Sequence, residues 1–538
     1  MSRLRPLADS RHAFALLFVG LMCLGAPQSA AASTGASGPD CAHRVNDTQK
    51  RLLACIKASA LWRHLEDFQA FADENPGAKG HGNRDTGTPG YLASVNYVAD
   101  LMRQAGYSVQ IQSYPWRHSE TVGTPEFAAG GRSYEEGKDW FVAGLSGSGV
   151  VDAPLAVPMG GGSGCRPGDL KGFPRGDVAL LKRATCDFDV QLANAERAGA
   201  SAAIFYNDRP AANGGPYRRH ANGEAFPVQL ARQAQIPVVG ALAYELGASL
   251  AARYLSDHAV KAHIDVHTQS RSDTDYNVIA DSAFGDPNHA IVVDAHLDAI
   301  HGAGILDNGS GSATILEIAL NLASTPTRNR LRYIWFGGEE LGLLGSKYYT
   351  RALSRKALKQ IAFDIDADVT ATPNYAILIA DPGHAHQADK FPPNVVPDSQ
   401  IGNRRFIRYF RGIGIAAKIA RFGNDGTDSL SFSRAGVPNT GILTEQNCCK
   451  QAWEVRLWGG FRGNFEGKIP GHNGGCVDWP GRWCDNLANN DREVLTSVSK
   501  ATAAVVLQFA NDATLAGAVR DENVGKKGMA RGGAESTE

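Results

Sequence analysis

Residues 289–300 read HAIVVDAHLDAI. Ile291, Val292 and Val293 form the continuous apolar run that a strand buried on both faces requires. His296 and Asp298 fall just past its carboxyl end, where open α/β sheets gather their ligand sites. A metal-binding imidazole needs an acceptor on its second nitrogen to fix its tautomer, and a carboxylate two residues on supplies one. Alone, a His near an Asp is ordinary surface chemistry, so the pair counts only in company.

That company lies downstream. GILDNGSGSATILEIALNLA (304–323) places Asp307 before a glycine-rich turn and a helix with an apolar stripe of Ile315, Ile318, Ala319 and Leu322. Helix capping by Asp307 or Asn308 is the plain alternative. RLRYIWFGGEELGLLGSKYY (330–349) gives a second buried strand, Leu331 to Phe336, two glycines, and the adjacent acids Glu339 and Glu340. Neighbouring carboxylates at a strand end repel each other unless a cation or proton intervenes; a solvated helix start is the rival reading. IAFDIDADVTATPNYAILIA (361–380) threads Asp364, Asp366 and Asp368 through a third strand, where buried acids need a partner or a metal. GHNGGCVDWPGRWCDNLANND (471–491) adds His472, Asp478 and Asp485. Five polar stations at successive strand ends point to a metal site.

The ends of the chain read differently. Arg3, Arg5 and Arg11 precede an apolar run from Ala13 to Leu24, then Pro27 and Ser29-Ala30-Ala31-Ala32, the pattern of a signal peptide cleaved after about Ala32. The run is shorter than the roughly 20 residues a bilayer crossing needs, so an exported, soluble product is expected. Residues 33–141 hold an N-terminal segment, helical over about 44–76, then a loop from Gly77 to Gly90, a helix from Leu92 to Ala105 and a strand from Tyr107 to Tyr114. Residues 142–270 have short, glycine-punctuated strands and read as a separate insert. Long apolar strands alternate with helices over 271–511, an α/β layer pattern. The polar, glycine-rich residues 512–538 are expected to be disordered.

Composition agrees. The 538 residues carry 54 Lys+Arg against 55 Asp+Glu, with 43% hydrophobic residues. That suits a soluble globular chain of a few domains. It argues against a nucleic-acid binder or a polybasic membrane-surface protein, which need a concentrated positive field. Cys23 leaves with the signal, and the even number of remaining cysteines suits an oxidising compartment. Proximity suggests Cys41 with Cys55, Cys165 with Cys186 and Cys476 with Cys484, leaving the adjacent Cys448 and Cys449, whose direct bridge would be strained. There is no G-x-S-x-G elbow to support a serine hydrolase.

The order H-x-D, DN-G-S-G, EE-L-G-L-x-G-S, D-x-x-x-x-P-N-Y and CD-N-L-x-N resembles the M28 family of di-zinc aminopeptidases. The likeness covers about residues 80–118 and 275–510, with GNRDTGTPGYLASVNYVADLMRQAGYSVQIQSY (82–114) similar to the family's opening helix and strand. The insert resembles a protease-associated (PA) domain through Gly164-Cys165, Asp169, DVALLKRATCDF (177–188) and AERAGASAAIFYND (195–208). The resemblance implies a three-layer α/β/α zinc-exopeptidase fold with a mixed central sheet, carrying a β-rich PA insert. It implies two Zn2+ ions: His296 and Asp368 on one, Glu340 and a late His on the other, Asp307 bridging. Glu339 becomes the general base, Asp298 orients His296, and the substrate is a peptide or protein.

Two positions depart from the family pattern. The last ligand reads as His472, whose neutral imidazole suits zinc, with Asp478, which occupies the aligned position, as the alternative. In GTDSLSF (426–432), Asp428 matches the family, but Ser429 stands where it often has a His. The ligand set does not encode which substrate end is held, so a carboxypeptidase or a glutaminyl-cyclase-like enzyme on the same scaffold stays open, as does a non-catalytic binding protein. The insert reads as a lid or spacer, or as a substrate selector.

Overall fold

The computed structural model describes residues 41, 43–77, 80–159, 163–184, 186–208, 223–257, 260–300, 302–446, 450–466 and 484–517. Residues 1–40, which include the expected signal peptide, Cys448, Cys449, His472, Cys476, Asp478 and residues 518–538 lie outside these. Among the described residues no helix is long and apolar enough to cross a membrane.

Two helices open the described chain, α1 (Gln49–Cys55) and α2 (Ala58–Glu74), inside the stretch of about 44–76 that the sequence reads as helical. Ile56 and Lys57 are extended and break it, immediately after Cys55, which is bonded to Cys41. Helix α3 (Pro89–Gln104) begins three residues before Leu92 because Thr88 accepts the N–H of Tyr91 and Pro89 occupies the first turn. Strand β1 (Ser108–Thr121) follows. Next come β2 (Glu126–Ala129), β3 (Arg132–Tyr134), β4 (Gly149–Ala156), β5 (Val178–Lys182), α4 (Phe188–Ala198), β6 (Ala202–Tyr206), β7 (Val238–Leu242), α5 (Tyr244–Asp257) and β8 (Lys261–Val266). Strands β2 to β8 make one seven-stranded mixed sheet in the order β3-β2-β8-β4-β5-β6-β7, with an apolar cluster on each face. A disulfide joins Cys165 to Cys186 within it.

The chain then returns through β9 (Thr268–Asp281), β10 (Asp286–His296), α6 (Ser310–Leu322), β11 (Asn329–Phe336), α7 (Leu344–Ala352), α8 (Arg355–Lys359), β12 (Ile361–Ala367), β13 (Leu378–Ala380), α9 (Val395–Gly412), β14 (Lys418–Ile419), α10 (Ser429–Ala435), β15 (Asn439–Leu443), α11 (Ala452–Trp458) and α12 (Arg492–Ala510). An eight-stranded mixed sheet forms in the order β1-β9-β11-β10-β12-β15-β13-β14. Its centre, β11-β10-β12-β15, is parallel. β1 and β9 pair antiparallel along fourteen rungs, from Ser108–Asp281 to Thr121–Thr268.

Strand alternation sorts side chains between the faces. Ile291, Val293, Ala295, Phe363, Ile365 and Ala367 point into the larger core, which α2, α3, α6 and α12 cover. The opposite face holds a smaller core around Val292, Ile334, Phe336, Tyr349 and Phe432. Asp294, His296, Asp364 and Asp366 alternate onto that face. Layers of helix, sheet and helix are what the sequence pattern and the family resemblance led us to expect.

Candidate metal centre

Register gathers the site at one sheet edge. His296 lies beside Phe336 in the β10/β11 pair, and Asp294 beside Asp366 in the β10/β12 pair. Residues leaving β10, β11 and β12 therefore emerge together at their carboxyl ends. Nε2 of His296 is 3.1 Å from Oδ1 of Asp307 and 3.4 Å from Oδ1 of Asp368. One ligand atom from each of the three lies within 4.8 Å of the others. Nδ1 faces Asp298, 3.2 Å from its carbonyl oxygen and 3.5 Å from Oδ1. That leaves Nε2 turned to the carboxylates, the tautomer a metal ligand needs.

Asp307 is held from several sides. Its N–H donates to Oδ2 of Asp485 at 3.2 Å, and that of Leu306 donates to Oδ1 at 2.6 Å. The Asp307–Asn308 peptide is cis. Asn308 stitches the turn to the end of β12: Nδ2 donates to the Ala367 carbonyl at 2.9 Å, while Oδ1 accepts the N–H groups of Gly311 (2.8 Å) and Val369 (3.1 Å). Ser310 Oγ accepts the Thr370 N–H at 2.8 Å. A Cβ on Gly311 would stand 2.0 Å from the Ala367 carbonyl oxygen, so only glycine lets α6 approach β12 this closely. Asp307 does not cap α6, whose N-cap position is Gly309.

Buried Arg84 anchors the preceding loop. Its guanidinium donates to the carbonyls of Leu297 (2.6 Å), Ala303 (2.9 Å) and Gly304 (3.1 Å), with the Phe68 ring 4.7 Å below. Burial lowers its pKa to about 10 despite the nearby Asp485 and Asp298, and it remains a cation at neutral pH. Asp298 is also fully buried. It accepts the hydroxyl of Thr86 (2.9 Å) and the N–H groups of Glu339 (3.2 Å) and Glu340 (3.4 Å). Gly337 and Gly338 permit this turn: a Cβ on Gly337 would meet the Tyr91 hydroxyl at 2.2 Å, and Gly338 has φ +67°.

The charge balance is strongly negative. Burial pushes the Glu339 carboxyl well above its ordinary range, with Glu340 and Asp368 adding and His296 opposing. Burial alone would lower the imidazole, but Glu339, Asp298, Asp307 and Asp368 hold it well above its usual range. Behind them, burial holds Asp294, Asp364 and Asp428 far up and Asp366 at about 7. Oδ1 of Asp368 is buried without a hydrogen-bond partner. A cage of oxygen donors and one imidazole, short of positive charge and with an orphaned carboxylate oxygen aimed at the histidine, suits a divalent cation such as zinc.

His296, Asp307 and Asp368 thus converge. Asp298 faces His296 from the other side, and Oε2 of Glu339 lies 4.0 Å from Nε2. Glu340 is fixed through its backbone on Asp298. His472 and Asp478 lie outside the described residues. Cys484 is disulfide-bonded, its expected partner Cys476 being outside them too. The sequence assigns no role to Arg84, Thr86 or Asp294, and offers Asn308 only as a helix cap, whereas its side chain also ties the turn to Ala367 and Val369. A charged residue inside the glycine-rich stretch 82–90 was the available signal for Arg84.

Comparison with known proteins follows the same lines. The model of peptidase family M28 matches residues 277–506, and that of the PA domain matches residues 151–250. An aminopeptidase of Pseudomonas aeruginosa is 30% identical over 462 residues, 84% of this chain and 80% of that protein. The probable lipoprotein aminopeptidase LpqL of Mycobacterium tuberculosis is 31% identical over 75% of this chain and 77% of its own length. Among solved structures, the aminopeptidase from Aneurinibacillus sp. strain AM-1 superposes with a TM-score of 0.62 at 21% identity, covering 86% of this chain and 96% of that one. The zinc aminopeptidase BSAP from Bacillus subtilis gives 0.57 at 22% identity, covering 85% and 96%. At such identity these two speak for the fold alone. With the Pseudomonas and Mycobacterium relatives 30% and 31% identical across most of both chains, the protein belongs to peptidase family M28 and carries a PA domain within it.

Proposed function

We propose that the chain is an exported aminopeptidase that removes the N-terminal residue of peptides, with two zinc ions in the site. The convergence of His296, Asp307 and Asp368 beside Glu339 carries this reading. His296 and Asp368 would hold one ion, Glu340 and His472 or Asp478 the other, and Asp307 would bridge. Zinc supplies Lewis-acid polarisation of the scissile carbonyl and acidifies water.

The chain's own residues do the rest. Glu339 takes the proton of the attacking water and returns it to the leaving amine. Asp298 keeps Nε2 of His296 facing the cage and, through two N–H groups, fixes where Glu339 begins. Export rests on the basic-then-apolar N-terminal pattern and on the disulfides.

The test pairs zinc content per chain with hydrolysis of aminoacyl anilides, free or blocked at the amine. Turnover of the free-amine set alone supports the proposal. Turnover of peptides by their carboxyl ends, or cyclisation of N-terminal glutamine in place of hydrolysis, would replace it with the carboxypeptidase or cyclase reading.

A further inference from the structure

The outer strand of the eight-stranded sheet, β14, borders a groove that plays no part in the metal centre. The N–H groups of Lys418 and Ala420 donate inward to the carbonyls of Ile377 (3.0 Å) and Ile379 (2.9 Å). Alternation therefore turns the backbone N–H and C=O of Ile419 outward. Between this edge and α11 lies a groove of about 620 Å3, lined by Lys418, Ile419, Arg421, Trp453, Arg456 and Leu457. Among the described residues the lining has three cations and no carboxylate. The Arg421 guanidinium lies 5.3 Å over the Trp453 ring, and Leu457 is 40% exposed.

A lysine on an edge strand is by itself a guard against unwanted strand pairing. Here three cations, an indole and an exposed leucine surround one concavity, in a chain whose charges nearly cancel overall, 54 basic against 55 acidic. We propose that this groove docks an acidic, extended segment of polypeptide. Its carboxylates would meet Lys418 and Arg456, its backbone the outer edge of Ile419, and its alternate apolar side chains Trp453 and Leu457. The outward backbone donor and acceptor favour polypeptide over a sulfated glycan, which could answer the cations but not the strand edge. Strands β13 and β15 separate β14 from β12, so a bound segment is held apart from the metal-centre residues.

The experiment uses the full chain and a fluorescein-labelled hexapeptide of alternating Glu and Val, acetylated and amidated so that it offers no free amine. Fluorescence anisotropy should show saturable binding that weakens with salt. Affinity should fall by about tenfold or more in Lys418→Glu/Arg456→Glu, and by a smaller factor in Arg456→Gln. A backbone N-methylated version should bind less well. Unchanged leucine anilide hydrolysis in both variants would establish that they fold. Three outcomes would overturn the proposal: no saturable binding to the wild type, equal affinity in both variants and the wild type, or a sulfated oligosaccharide binding where the acidic peptide does not. Because the probe cannot be hydrolysed from its N-terminus, this result stands apart from that of the anilide test.

Discussion

The N–H of Glu339 donates to Oδ1 of Asp298 at 3.2 Å, and the same oxygen lies 3.5 Å from Nδ1 of His296. One buried carboxylate thus touches both the imidazole that faces Asp307 and Asp368 and the start of the two-glutamate turn.

Asp298→Asn keeps an acceptor but removes the charge facing the imidazole. Zinc affinity should drop by about 10- to 100-fold, read by competition with a chromogenic chelator. Unaltered affinity would reduce Asp298 to a packing residue.

Glu339→Gln preserves shape and removes the proton carrier. Hydrolysis of leucine anilide should fall by about 10²- to 10⁴-fold, while elemental analysis finds the same zinc per chain. A variant that keeps full activity would assign the proton transfer elsewhere.

Gly311→Ala drives a methyl group against the Ala367 carbonyl. The folded state should lose about 1–3 kcal/mol, and the retreat of α6 should separate Asp307 from Asp368. Calorimetry and zinc content should therefore fall together; a loss of stability with normal zinc content would show that the turn absorbs the strain elsewhere.

Asp364 tests the buried acids. Its carboxyl, raised by burial and by Asp366 and Asp428, takes up a proton on folding. Stability gained at acid pH is then lost as pH rises above about 4, and Asp366, at about 7, extends the loss toward neutrality. Metal-free protein should resist urea better at about pH 5 than at about pH 7.5, and Asp364→Asn should narrow that difference. An unchanged difference would exonerate Asp364.

Arg84→Met removes the donor for three loop carbonyls buried under the cage. A cost of about 3 kcal/mol is expected, with a lower urea midpoint. A cost under about 0.5 kcal/mol would match an ordinary surface change and show that water replaces the guanidinium.

Much of this was legible beforehand because periodicity reports burial. Val292 and Val293 announced a strand buried on both faces, and the positions of His296, Asp307 and Asp368 relative to strand ends announced a shared edge. What stayed hidden depends on tertiary reach. Arg84 lies more than two hundred positions before the carbonyls it binds, and the Asn308 contact with Ala367 spans fifty-nine. Asp294 was passed over because its burial is intelligible only beside Asp366 on the neighbouring strand. The helical stretch expected over about 44–76 is interrupted at Ile56 and Lys57, where no proline or glycine signals a break.

Thr121 and Thr268 are the last rung of the β1/β9 ribbon, so the 146 intervening residues leave and re-enter the ribbon at one cross-strand pair. A short turn across that rung would close an ordinary hairpin. Evolution, or an engineer, can therefore exchange the whole cassette at a single seam while the catalytic sheet keeps its register.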